Sequence, residues 1–107
     1  MDCIFCKIIN KELPSGIVYE NEKVLAFKDI DPKAPIHILI VPKEHIESVN
    51  SESSENIVGG LILAVKDIIK RNAIQGYKLV FNVGKEAGQT VPHLHMHLLA
   101  GSKIELP

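Results

Sequence analysis

His93-Leu94-His95-Met96-His97-Leu98-Leu99 sets three of the chain's five histidines at alternate positions. In an extended strand successive side chains point to opposite faces, so the imidazoles share one face while Leu94, Met96 and Leu98 share the other. A merely solvated face would use Lys, Thr or Glu more readily. Residues i and i+4 of a strand lie about 13 Å apart at roughly 3.3 Å per residue, so one ion suits a neighbouring pair but hardly all three. A row of imidazoles fits something longer than an ion. Neutral imidazole is a nucleophile and its protonated form donates to anionic oxygens, and a reference pKa near neutrality allows both. The stretch therefore points to phosphoryl chemistry.

Around it, 107 residues with an apolar fraction of 46% predict one folded domain over residues 1–107. A formal charge of −1, with acids and bases interleaved, offers no footprint for a nucleic acid polymer or a membrane surface. No apolar run approaches a membrane span, and Met1-Asp2-Cys3-Ile4-Phe5-Cys6-Lys7 lacks the basic-then-apolar layout of a secretory signal, so the expected location is cytoplasmic. Cys3 and Cys6 are the only cysteines. A redox Cys-x-x-Cys pair normally follows a strand inside a βαβ unit, whereas these open the chain. That leaves a metal half-site against two small packing residues.

Ile4-Phe5 with Ile8-Ile9 has helical spacing and ends before Pro14-Ser15-Gly16. The 17–20 and 24–28 runs read as a hairpin turning at Asn21-Glu22, and His37-Ile38-Leu39-Ile40-Val41 as a buried strand closed by Pro42. From 51 to 71 the period changes. Ile57, Leu61, Val65, Ile68 and Ile69 mark one long amphipathic helix, with Ser51, Ser53 and Ser54 as N-cap hydroxyls, a basic tail and Gly76 as terminator. A strand at 77–82 and a turn through Gly84 and Gly88 lead into the histidine strand, for an α+β, mainly antiparallel layout. The glycine amides could approach phosphate, though the spacing is not a Walker A motif and an ordinary turn explains it as well. Gln89 and Thr90 bring an amide and a hydroxyl to the same end. His37 alone reads as a core histidine and His45 as a solvated loop side chain. With Cys3, Cys6 and one triad histidine, however, His45 completes a Cys₂His₂ set.

Cys3-Ile4-Phe5-Cys6-Lys7-Ile8-Ile9, Leu25-Ala26-Phe27-Lys28-Asp29-Ile30-Asp31-Pro32, Ala34-Pro35-Ile36-His37-Ile38-Leu39-Ile40-Val41-Pro42-Lys43 and Gly88-Gln89-Thr90-Val91-Pro92-His93-Leu94-His95-Met96-His97 together resemble the histidine triad (HIT) superfamily. Within it they look most like the HINT-type branch of small purine-nucleotide hydrolases. The resemblance spans nearly the whole chain in order. It implies a five-stranded, mainly antiparallel sheet with one long helix and a short N-terminal helix. It also implies hydrolysis of purine nucleoside 5′-phosphoramidates, or related nucleoside monophosphate derivatives, through a nucleotidyl-histidine. The alternatives are a dinucleoside polyphosphate hydrolase and a nucleotide-binding regulatory protein with weak turnover.

By the same resemblance His95 is the nucleophile, His97 contacts phosphate, His37 supports the histidine network and Thr90 lies near the leaving group. Asn82 and Gln89 fall to the phosphate side, Asp29 to the ribose, and Ile4, Phe5, Ile8, Phe27 and Ile30 to the purine and ribose pocket. Some relatives with an N-terminal Cys-x-x-Cys hold a structural zinc, whose ligand positions map to Cys3, Cys6, His45 and His93. No catalytic cofactor is implied. The family also pairs as two-fold dimers, which here would use the long helix, with its Gly59-Gly60, and the 77–82 strand. Two departures stand out: Val83 replaces a common Glu, and the 101–107 end lacks the Trp-Pro-Pro-Gly that in the branch reaches the partner's site.

Overall fold

Strands of alternating or continuous apolar residues, each closed by a turn signal, build the sheet. The computed structural model describes residues 3–103. Its elements are α1 (Ile4–Ile9), β1 (Ile17–Glu20), β2 (Val24–Lys28), β3 (Ile36–Pro42), α2 (Ser54–Arg71), β4 (Tyr77–Val80), a 3₁₀ turn at Lys85–Ala87 and β5 (Met96–Ala100). The five strands pair antiparallel throughout in the order β1-β2-β3-β5-β4. This is the expected α+β arrangement with one long helix and one short one.

The sheet has two unlike faces because the side-chain period of a strand is two. Val24, Ala26, Ile38, Ile40, Met96, Leu98 and Ala100 pack beneath Leu61, Ala64, Val65 and Ile68 of α2. On the other face Leu25, Phe27, Leu39 and Val41 pack against Cys3, Phe5 and Ile8, so α1 covers only part of it. His37 and His97 stand on this second face, at diagonal positions of the β3–β5 ladder, where His97 opposes Leu39 and His37 opposes Leu99. At the far edge Asn21 turns the β1–β2 hairpin, its Oδ1 accepting the Lys23 and Val24 amides at 2.8 Å.

Four local expectations need correction. No serine hydroxyl caps α2. Ser53 precedes it in the left-handed region at φ 63° without a side-chain cap bond, Ser54 Oγ donates to the Val49 carbonyl, and Ser51 Oγ accepts the Ser48 amide. These hydroxyls satisfy the loop instead, the competition for which serine is known. Nor does Gly76 end the helix. Asn72 Nδ2 donates to the Ile68 carbonyl, the Ile74 amide returns to Ile69, and Ala73 takes the left-handed position, φ 52°, that usually selects glycine. The 77–82 strand stops at Val80. Finally, only His97 of the triplet lies within β5. The Leu94 amide bonds to the Ile46 carbonyl at 2.7 Å, so the preceding segment is fastened to a loop and not to a strand. The alternation survives, with Leu94 in the core beneath α2. The tail beyond Lys103, part of the departure at 101–107, lies outside the described residues. Among those described, no helix is long and apolar enough to cross a membrane.

Candidate active site and metal centre

The start of α1 brings two thiols together. Cys3 is its N-cap and its Sγ accepts the Cys6 amide at 3.4 Å. The loop after β3 adds His45, and the segment before β5 adds His93. Cys3 Sγ lies 3.3 Å from His93 Nδ1, Cys6 Sγ 3.4 Å from His45 Nδ1 and 3.7 Å from His93 Nδ1, and the two Nδ1 atoms are 3.1 Å apart. Zinc bonds of about 2.3 Å to sulfur and about 2.0 Å to nitrogen give tetrahedral edges of roughly 3.3 to 3.8 Å. The four residues can thus hold a metal ion. His93 also has the partner that ligating histidines have, its Nε2–H donating to the Pro42 carbonyl at 2.9 Å and leaving the Nδ1 lone pair free. Burial, then the adjacent Cys3 sulfur, raise the Cys6 thiol above its ordinary value. A thiol raised in this way ionises readily only beside a cation.

A second group, Asp29, His37 and His97, also has ligand-like spacing. Its hydrogen bonds point to a different use. The Lys33 amide donates to His37 Nδ1 at 3.0 Å, so neutral His37 carries its proton on Nε2. A metal at Nε2 would require a proton on Nδ1, facing the Lys33 N–H. Nε2–H instead donates to His97 Nδ1 at 2.8 Å, with an Asp29 carboxylate oxygen at 3.4 Å. His97 consequently carries its own proton on Nε2, which has no partner among the described residues. The chain of bonds aims one N–H donor into the site.

His95 has the opposite polarity. Its Nδ1–H donates to the His93 carbonyl at 2.8 Å, which leaves Nε2 with a lone pair and no hydrogen-bond partner among the described residues. Its ring lies 5.2 Å from that of His97 and 5.1 Å, edge-on, from Phe5. One imidazole offers an electron pair beside another that offers a proton. Burial, then His95 and His37, push His97 down to about 4, and burial lowers His37.

These shifts fix a pH dependence. A histidine whose folded pKa lies below its ordinary 6.5 contributes its full stabilisation above that value. The contribution is lost as pH falls from 6.5 toward about 4, where the unfolded chain takes up protons first. The urea midpoint should fall across this window, and less steeply in His97→Gln. Equal slopes for both proteins would contradict the assignment.

The other residues singled out in the sequence divide. Phe5, Ile8 and Phe27 are buried together, Phe5 against Phe27 at 5.6 Å, whereas Ile4 is 50% and Ile30 98% exposed. Asp29 turns one oxygen to the Asp31 amide and the other to His37. Asn82 Nδ2 donates to the Ala87 carbonyl across the turn between Gly84 and Gly88, which have φ of 87° and 90°. Gln89 braces that turn: its Oε1 accepts the Gly84 amide, and its Nε2 donates to the Glu47 and Val91 carbonyls. Thr90 is exposed. The groups that orient the histidines, the Lys33 amide and the Pro42 and His93 carbonyls, are backbone atoms and carry no residue signature in the sequence.

An antiparallel sheet that presents an ordered row of imidazoles on one face and a long helix on the other defines a histidine triad protein. Residues 10–104 match the HIT domain, and the chain belongs to the HIT family. A HIT family hydrolase from Clostridium thermocellum superposes with a TM-score of 0.91 at 48% identity, covering 99% of this chain and 96% of that one. A histidine triad protein from Clostridium difficile superposes at 0.94 with 44% identity, covering 100% and 96%. A HIT-like protein of Synechococcus elongatus is 45% identical over 109 residues, 99% of this chain and 96% of its own.

Proposed function

We propose that this chain is a single-domain nucleotide hydrolase of the HINT-type branch, acting on purine nucleoside 5′-phosphoramidates or related nucleoside monophosphate derivatives. The observation that carries this reading is the fixed tautomer of His95, whose Nδ1–H is held by the His93 carbonyl and whose Nε2 keeps a lone pair with no hydrogen-bond partner among the described residues. Nε2 attacks the α-phosphorus, a bond forms from His95 nitrogen to phosphorus as the phosphorus–amine bond breaks, and the amine departs with a proton taken from solvent beside the exposed Thr90. Water then releases the nucleoside monophosphate and His95 regains its lone pair. The His97 N–H, Asn82 and turn amides meet the anionic oxygens, where preorganised donors act most strongly. Asp29 serves the ribose while its second oxygen steadies His37. Gln89 keeps the phosphate turn in place, and Ile4, Phe5, Ile8, Phe27 and Ile30 form the base and ribose side, the exposed Ile4 and Ile30 supplying apolar surface for a purine. Cys3, Cys6, His45 and His93 hold a structural zinc, whose chemistry when bound is to tie α1 to the two segments flanking the site.

A quenched single turnover of adenosine 5′-phosphoramidate should yield an acid-labile, base-stable phosphorus adduct on His95. With rapid turnover and no adduct, water attacks directly and the reading fails. In a panel that includes guanosine phosphoramidates and dinucleoside polyphosphates, faster cleavage of the polyphosphates would select the alternative leaving group.

The open edge of β4 and the outer side of α2 are where a second copy pairs in this reading. A methyl group added at Gly59 would meet no atom within 4 Å, and Leu63 is 64% exposed, so a second backbone can approach closely. Light scattering at micromolar concentration should give twice the monomer mass. A monomer mass with full turnover would remove the dimer.

A further inference from the structure

The metal cluster and the His95 imidazole share a residue. His93 belongs to the cluster through its Nδ1, and through its backbone carbonyl it accepts the proton that fixes the His95 tautomer. They also share a ring: Phe5 sits between the two cysteines in sequence and packs edge-on against His93 at 5.8 Å and His95 at 5.1 Å. Three further bonds hold His93 from behind, its Nε2–H to Pro42, its amide to the Val91 carbonyl and the next amide, Leu94, to Ile46. His45 completes the cluster and reaches His95 only through His93, with which it shares a 3.1 Å Nδ1–Nδ1 approach and a ring contact at 4.8 Å.

We propose that His93 is a positioning residue for His95, and that occupancy of the Cys3, Cys6, His45 and His93 cluster by a divalent zinc-like ion sets the tautomer and aim of the His95 imidazole. The inference rests on the reading of His95 as nucleophile for its kinetic consequence and on geometry alone for its structural one. With the cluster filled, the His93 ring is pinned between Pro42 and the ion, and its carbonyl is held where His95 Nδ1–H points. With it empty, the two Nδ1 atoms and two thiols 3.1 to 3.7 Å apart lose the charge that holds them together. His93 and the Cys3–Cys6 turn then relax, and with them the carbonyl and the Phe5 ring. A neutral imidazole that loses its Nδ1 acceptor reverts toward a mixture of tautomers, and the one with hydrogen on Nε2 cannot attack phosphorus. Outer contacts of this kind commonly change activity by about 10- to 100-fold.

Long-range proton–nitrogen NMR of the protein labelled with nitrogen-15 at histidine reads the tautomer without any substrate. In the zinc-loaded protein His95 should give the pattern of a single Nδ1–H tautomer. In the chelated protein, and in His45→Ala, it should give an averaged pattern, with kcat down by about tenfold and KM within about twofold. His45→Cys, which restores four ligands, should return both readouts. An unchanged His95 pattern in folded, zinc-free protein overturns the proposal, and so does unfolding in step with zinc removal in both chelated protein and His45→Ala, since the metal would then serve the fold as a whole. A tautomer that responds to zinc in a protein without any nucleotide turnover would instead refute the hydrolase reading and leave the coupling standing.

Discussion

Replacing His95 by alanine should lower kcat/KM for a nucleoside phosphoramidate by about 10⁴-fold or more while the Kd for the nucleoside monophosphate changes by less than about threefold. The asymmetry follows from what the side chain touches. Its Nδ1–H is spent on a backbone carbonyl and its Nε2 has no hydrogen-bond partner among the described residues, so on the proposed function truncation removes the attacking atom and little of the binding surface. The donor chain from Lys33 through His37 to His97 does not pass through His95 and should survive the change. Turnover by the purified variant within tenfold of wild type would end the assignment, and a matching loss of nucleotide binding would turn His95 into a binding residue.

Cys3→Ser and Cys6→Ser should each lose bound zinc and, with it, roughly 4 kcal/mol of stability, near the upper end for single substitutions. For a chain of this size that corresponds to a fall in Tm of about 15 °C or more. Hydroxyl oxygen is a poor substitute for thiolate, and either change leaves the remaining ligands crowded without a cation. Elemental analysis and calorimetry of protein purified without chelator in reducing buffer check both halves together. Metal-free wild type of unchanged Tm would return Cys3 and Cys6 to ordinary packing.

Much of this was readable from residue types, because periodicity is a property of side chains. Leu94, Met96 and Leu98 announce a core face, and Ile57 through Ile69 announce α2, both of which the fold contains. The Cys₂His₂ set was legible as chemistry, and chain folding supplies its geometry. What could not be read is where the backbone itself acts. Nothing about Pro42 marks its carbonyl as the partner of His93, and nothing about Lys33 marks its amide as the group that sets the His37 tautomer. The same holds at the ends of α2, where serines with capping chemistry bond to a loop and Ala73 occupies a glycine position. Each choice depends on which of several equivalent donors the tertiary structure brings near.

The strand order holds a lesson about assembly in time. β5 is last of the strands in sequence, yet it lies between β3 and β4, and β4 has no other partner in the sheet. β1, β2 and β3 are sequential neighbours and can pair through short connections, whereas joining β3 to β5 must close a loop of more than 50 residues that contains α2. Until that closure His97 has no His37, although β4 and β5, neighbours in sequence, can pair by themselves. His93 and His95 arrive on the same segment, so the cluster histidine, the proposed nucleophile and the proposed phosphate donor are delivered by one folding event. On the proposed function a half-folded chain therefore has no half-active site: competence appears only when the central gap of the sheet is filled.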